Sequence, residues 1–200
     1  MNKVHFLKSA ASPKDYPPAD RPEIAITGRS NAGKSSFLNQ ISEHTRRNVA
    51  KVSQSPGKTR LLNFFEAEKY RWVDMPGYGF ASRSGDEVVG WRDLIEDYLS
   101  VREGLVGAVL VADIRREWSQ DEEDLRTFFN SINLPFCVIL TKADKVAAHE
   151  AEKQVLKISQ QSGAQAFAIS NTKEVGADLV EDFCFKHWVK PHLAGQRVKT

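Results

Sequence analysis

Residues 28–36 read GRSNAGKSS, directly after the apolar-leaning run EIAIT. A short strand (EIAITG, 23–28), then G-x-x-x-x-G-K-S, then a helix is the setting in which main chain grips a phosphate chain. The helix is read from KSSFLNQI (34–41), which places Phe37, Leu38 and Ile41 on one face. Gly28 and Gly33 let the backbone curl, so that successive N–H groups across Arg29, Ser30, Asn31 and Ala32 point inward. The positive end of the helix dipole adds to them. Lys34 is placed to reach the β- and γ-phosphates. The Ser35 hydroxyl is placed to bind Mg²⁺, and Ser36 belongs to the same nucleotide-binding run.

Such a loop needs a sheet behind it. LLNFFEA and YRWVDMP flank EK as a hairpin, after a polar stretch (43–60) with no clear period. GYGFASRSG is a glycine-rich loop, and VVGWRDLIEDYLSVRE places Trp91, Leu94, Ile95, Tyr98 and Leu99 on one helical face. Then strands and helices alternate: LVGAVLVADI, SQDEEDLRTFFNSI, PFCVILTKAD, AHEAEKQVLKISQQS, AQAFAIS and GADLVEDFCFKHWVK. Ser119 caps the second of these, with acids in its first turn. The pattern predicts an α/β fold in three layers: a mostly parallel six-stranded sheet with one antiparallel edge strand and helices on both faces. At 200 residues the chain suits one core. Residues 1–21 are expected as an N-terminal extension, 22–190 as the domain and 191–200 as a tail.

Further motifs follow in the order a nucleotide switch needs. DMPG (74–77) ends a strand: Asp74 would hold Mg²⁺ through a water, and the Gly77 N–H would meet the γ-phosphate, with Met75 and Pro76 between them. Thr59, in SPGKTR with Gly57 and Lys58, lies in the polar loop where a threonine binds Mg²⁺ only when the γ-phosphate closes the loop. Lys34, Thr59 and Gly77 form the expected catalytic set, Ser35 and Thr59 the metal set. TKAD (Thr141, Lys142, Ala143, Asp144) follows a buried strand. Asp144 can accept hydrogen bonds from guanine N1–H and the 2-amino group, neither of which adenine offers, while the aliphatic stem of Lys142 lies along the base. Ile169, Ser170 and Asn171 end the next strand, where the Ser170 backbone would meet guanine O6. The alternative for each motif is local: a capped turn, an exposed threonine, an N-cap aspartate.

Composition narrows the class without naming a partner. A net charge of +2 is not that of a polycation. No run of 18 apolar residues implies a membrane span, and the N-terminus lacks the apolar core of a signal peptide. Cys137 and Cys184 sit in amphipathic or apolar runs and read as small buried hydrophobes, not a disulfide or metal pair. Cytoplasmic location is the expectation.

Together the motifs resemble those of the translation-factor-like P-loop GTPases. PEIAITGRSNAGKSSFLN, SPGKTRLLNFF, DMPGYGFA and TKADK, with FLKSA near the start, more specifically resemble the EngB family of bacterial GTPases, from about Pro22 to Trp188. The chain departs from that pattern at Ala32, Ser55 and Arg60, none of whose side chains is a presumed phosphate or metal contact, and in the AIS segment. The resemblance implies GTP and GDP as ligands, Mg²⁺, and a switch in assembly of the large ribosomal subunit. The implied partners are that subunit or its precursor, rRNA and proteins, with a link to cell division and septation. A monomer and no DNA partner are the further expectations, although the sequence itself leaves dimerisation open.

In Ras-type enzymes a glutamine directly after D-x-x-G orients the attacking water; here that position is Tyr78. The expected intrinsic rate is therefore slow, on the order of 10⁻⁴–10⁻³ s⁻¹. In related GTPases an asparagine at the place of Asn31 helps hold a potassium ion. The stretch 45–60 carries Arg46, Arg47, Lys51, Lys58 and Arg60, a basic loop suited to RNA phosphates in the GTP form. Competing readings are a small-molecule kinase or hydrolase, for which no added acid–base pair appears, and a septum-associated interaction protein in which GTP only sets conformation.

Overall fold

The chain, described here from a computed structural model, is placed over residues 4–42, 61–78, 95–170, 172 and 175–196. Along β2 (Glu23–Gly28) every residue is buried. Alternate side chains of a strand leave on opposite faces, so Ile24 and Ile26 enter one apolar cluster and Ala25 the other. The same division runs through β3 (Leu62–Glu66), β4 (Arg71–Asp74), β5 (Leu105–Asp113) and β6 (Phe136–Thr141), with the short β7 (Ala166–Ala168) beyond them.

Helices cover both clusters. On one face lie α1 (Lys34–Ile41), through Phe37 and Leu38, and α5 (Ala177–Cys184), through Val180 and Cys184. A π-helical turn (Phe185–Val189) and α6 (Lys190–Gln196) continue α5. On the other lie α2 (residues 95–101), α3 (Gln120–Ser131) and α4 (Ala148–Ser162), which bring Tyr98, Phe129 and Ile158 to the sheet. The three expected layers are present. Cys137 and Cys184 are free thiols buried in the first cluster.

The sheet has seven strands, in the order β1-β3-β4-β2-β5-β6-β7, where six were expected. The seventh is β1 (His5–Ala10), inside the segment read as an extension; it pairs antiparallel with β3. Phe6 meets Phe65 edge-on, ring centroids 5.7 Å apart. The antiparallel strand is therefore β3, one place in from the edge, since β3 also runs antiparallel to β4. Strand β1 is only half-covered, so its sequence carries a weak period-two signal.

The chain after β1 is tied to the amino end of the sheet. Arg71 donates to Pro18 O at 2.7 Å and pairs with Asp20 and Glu66. Arg102, just past α2, donates to Pro17 O at 2.7 Å and to both oxygens of the buried Glu23. Tyr98 donates its hydroxyl to Glu23 at 2.7 Å. This clasp fixes α2 to the start of the central strand.

Candidate nucleotide-binding site

Parallel pairing of β2 with β4 and β5, and of β6 with β5, brings the strand carboxyl ends together. Ile26 sits opposite Asp74, Gly28 opposite Val111, and Asp113 opposite Thr141. The chain leaves β2 toward β4 on one side and returns to β5 on the other, which is where open α/β sheets bind ligands.

The loop after β2 is curled, but two of the N–H groups expected to point inward donate within the protein, Ser30 to Tyr78 O at 2.9 Å and Ala32 to Arg29 O at 3.0 Å. A Cβ on Gly28 would lie 2.2 Å from Val111 O, so only glycine fits this strand end. Asn31 adopts φ 63° and Gly33, the N-cap of α1, φ 104°. Lys34 is buried, and its ammonium donates to Gly28 O at 2.9 Å and Arg29 O at 3.3 Å, inside the loop it follows. Burial pushes its pKa down while the Asp74 charge pushes it up. Ser35 and Ser36 sit in the first turn of α1, half-buried.

Asp74 ends β4 in a buried position, and burial pushes its pKa up to about 6 against the pull of Lys34. Its Oδ1 and the nearby strand's Thr27 Oγ1 are buried without hydrogen-bond partners. An unpartnered carboxylate oxygen and serine hydroxyls are hard ligands of the kind Mg²⁺ takes, directly or through water. Among the described residues no cluster of three His, Cys, Asp or Glu could hold a metal, so hydroxyls and water would form most of such a shell. Met75 N–H donates to Ile26 O at 2.9 Å, continuing the β2–β4 pairing. Pro76 is half-buried. Gly77 approaches so closely that an added Cβ would lie 2.8 Å from Ser30 Oγ and 2.9 Å from Lys34 Nζ.

On the other side, β6 is stitched to the loop. Thr141 Oγ1 donates to Ala32 O at 2.5 Å, and Lys142 Nζ to Asn31 O at 3.1 Å. Lys142 has a left-handed backbone (φ 62°) and opens a 3-10 turn over Ala143–Lys145. Ala143 N–H donates to Ile169 O at 3.1 Å, joining this turn to the end of β7. Asp144 accepts a hydrogen bond from Ser170 Oγ at 2.9 Å, which holds its carboxyl below the usual range. The Ser170 N–H donates to Val175 O at 3.1 Å and its C=O accepts from Gln40 at 3.0 Å. Both groups are engaged within the protein, and the Ser170 side chain supports Asp144. Gly57, Lys58, Thr59 and Asn171, and the basic stretch 45–60, lie outside the described residues.

Three residues join the site that their sequence context does not announce. Asp113, the last residue of β5, is buried between Arg115 and Lys142. Glu122 is buried on α3 and accepts the Tyr78 hydroxyl. Asp121 pairs with Arg29 of the loop at 3.1 Å. An acid ending a buried strand on the ligand side of an α/β sheet was the available signal for Asp113. A cleft of about 150 Å³ opens between the loop and the β5–α3 turn, lined by Arg29, Asn31, Asp113, Arg115, Trp118 and Lys142 among others.

This fold and this loop define a P-loop GTPase. Residues 23–142 match the family model of the 50S ribosome-binding GTPases. The chain is 51% identical to the probable GTP-binding protein EngB of Bdellovibrio bacteriovorus over 94% of its own length and 93% of the relative's. It is 43% identical to that of Streptococcus equi subsp. equi, over 88% and 90%. The crystal structure of a probable GTP-binding protein EngB superposes with a TM-score of 0.65 at 22% identity, covering 82% of this chain and 97% of that one. A single-residue variant of Aquifex aeolicus Era bound to GDP·AlF₄⁻ superposes at 0.62 with 22% identity, covering 83% and 56%. The chain belongs to the EngB family of GTP-binding proteins, and it is a GTP-hydrolysing enzyme.

Proposed function

We propose that the chain is a guanine-nucleotide switch that acts in assembly of the large ribosomal subunit. The phosphates of GTP lie in the loop Gly28–Ser36 with Lys34 among them. Asp144, steadied by Ser170, reads the guanine edge. Mg²⁺, held by Ser35 and Thr59 with Asp74 behind a water, would offset charge on the β- and γ-phosphates. Gly77 meets the γ-phosphate and gives the switch its sensor.

The single observation carrying the nucleotide reading is the enclosure of the Lys34 ammonium by the carbonyls of its own loop beside an unpartnered Asp74 oxygen. The ribosomal role is supported by the description of the matching family model, and the septation link by family resemblance alone. The protein works in the cytoplasm as a monomer; among the described residues no helix is long and apolar enough to cross a membrane. Rate is slow and rises with potassium held near Asn31. The basic loop 45–60 contacts rRNA in the GTP form.

Co-sedimentation with large subunits, in GTP-analogue and GDP forms across a salt series, tests the assembly role. Binding in the GTP form alone supports it; equal binding in both forms removes the switch.

A further inference from the structure

The carboxyl end of β5 holds a buried carboxylate to which no part of the phosphate or metal chemistry above gives work. Asp113 is 5% exposed. Its Oδ1 accepts from the Arg115 backbone N–H at 3.1 Å and from Arg115 Nε at 2.9 Å. Its Oδ2 accepts from Arg115 Nη2 at 2.7 Å and from Lys142 Nζ at 2.8 Å. Lys142 Nζ also donates to Asn31 O in the phosphate loop. The ammonium of the base-recognition turn is thus held at the meeting point of the loop and the β5 end.

We infer that Asp113 is a positioning residue for guanine-nucleotide binding: it fixes Lys142 so that the lysine's aliphatic stem stands as one wall of the base site. The inference rests on the guanine-nucleotide reading above. A lysine stem has about four rotatable bonds, and ordering it at the moment of binding costs affinity. A carbonyl alone is a weak tether for an ammonium. A buried carboxylate, itself held by a forked guanidinium, fixes the lysine before any ligand arrives. Arg115 is half-exposed, and its guanidinium grips both oxygens of Asp113. Thr141 beside Lys142 directs its single hydroxyl proton to Ala32 O, the nearer of two carbonyls within reach, the other being Ala112 O at 3.1 Å. The whole turn is therefore built rigidly onto the loop and β5.

Positioning and plain electrostatics predict opposite signs. Removing the Asp113 charge adds one positive charge near a polyanionic ligand, which by itself would tighten binding, more for GTP than for GDP. Releasing Lys142 weakens both nucleotides by the same factor, because the base is common to them.

The test is Asp113→Asn, with GDP and a GTP analogue titrated against the nucleotide-stripped protein and hydrolysis followed at saturating GTP. The expected result is about tenfold weaker binding of both nucleotides, an unchanged single-turnover rate, and no further loss when Asp113→Asn is added to Lys142→Ala. Nucleotide affinity within about twofold of the parent, or a full additional loss in the Lys142→Ala background, overturns the inference. If Asp113→Asn does not fold, Asp113→Glu, which keeps the charge but shifts the carboxylate, is judged by the same titration. A parent protein that takes up ADP as readily as GDP would instead sink the guanine reading itself.

Discussion

Tyr78 Oη donates a 2.9 Å hydrogen bond to Glu122 Oε1 of α3, both groups buried. Glu122 also accepts from the Ser119 backbone N–H at 2.9 Å and from the Ser119 hydroxyl. The Tyr78 carbonyl meanwhile accepts from Ser30 N–H at 2.9 Å. The residue in the place of the water-orienting glutamine is thus held by the loop through its backbone and by α3 through its phenol. Burial, then the neighbouring Glu122 charge, pushes the phenol's pKa up, so it stays a neutral donor.

With its hydroxyl committed to Glu122, Tyr78 serves as an anchor. Tyr78→Phe is expected to keep the single-turnover hydrolysis rate within about threefold and to cost roughly 0.5–1.5 kcal/mol of stability, one hydrogen bond. Glu122→Ala should cost more, about 1–3 kcal/mol, since the Tyr78 hydroxyl and Ser119 N–H lose their acceptor. Urea unfolding and rapid-quench kinetics measure both. A rate loss beyond about tenfold in Tyr78→Phe would assign the phenol to the water.

Asp74 makes the nucleotide-free, metal-free protein sensitive to pH. Burial raises its pKa from 3.8 to about 6, so the folded chain holds a proton that the unfolded chain releases. Stability contributed by this group is present below the unfolded value and lost as pH rises through about 6. The loss is at most about 3 kcal/mol. Asp113 acts oppositely: Arg115, then Lys142, hold its carboxyl well below the usual range, so its contribution is lost only as pH falls below that range. Thermal melts between about pH 4.5 and 7 in EDTA should show Tm falling with pH for the parent and a flatter profile for Asp74→Asn. Identical slopes would place the titration elsewhere.

At the amino end of the sheet, Glu23 is fully buried and shared by Tyr98 and Arg102. Removing one partner of a buried ion pair leaves the other charge uncompensated. Glu23→Ala is expected to lose about 3–5 kcal/mol in urea unfolding, while the replacement Tyr98→Phe loses roughly 1 kcal/mol. A loss under about 1 kcal/mol for Glu23→Ala would mean that α2 is not held by this clasp.

Much of this was legible in the sequence because several elements carry two agreeing signals. EIAITG and GRSNAGKSS declare β2, the loop and α1 through period, glycine placement and the lysine together, and all three stand where the reading put them. Strand β1 carried one weak signal, since half of an edge strand faces solvent. Glu122 looked like an ordinary first-turn acid serving the helix dipole; its burial and its bond to Tyr78 arise from the approach of residues 75–78, a tertiary fact. The engagement of the Ser170 backbone is a tertiary fact of the same kind. Its partners, Gln40 and Val175, come from α1 and from a bridge residue just before α5, and no local pattern encodes them.

Asn31 is exposed at the loop's outer turn, and its carbonyl already accepts from Lys142. Its side chain is the group proposed to help hold potassium. Hydrolysis should run faster in KCl than in NaCl at equal ionic strength, and Asn31→Ala should erase the difference. Equal rates of the parent in the two salts remove potassium from the account.

Base choice is the sharpest consequence of the Asp144–Ser170 pair. The Ser170 hydroxyl occupies Asp144 Oδ1 at 2.9 Å, and Lys145 stands 3.4 Å from Oδ2. Each oxygen keeps lone-pair capacity for a donor from the guanine edge. Asp144→Asn replaces an acceptor by a donor, so affinity should move from guanosine toward xanthosine nucleotides. Loss of both charge-assisted bonds to guanine amounts to about 3–6 kcal/mol, or roughly 10²–10⁴ in affinity. Ser170→Ala removes only the support and should weaken GDP by about fivefold without changing which purine is preferred. Competition titrations with GDP, XDP and ADP compare both variants with the parent. Tight GDP binding retained by Asp144→Asn would place base recognition on other residues, and a changed purine preference in Ser170→Ala would make the serine a reader of the base rather than a brace for its neighbour.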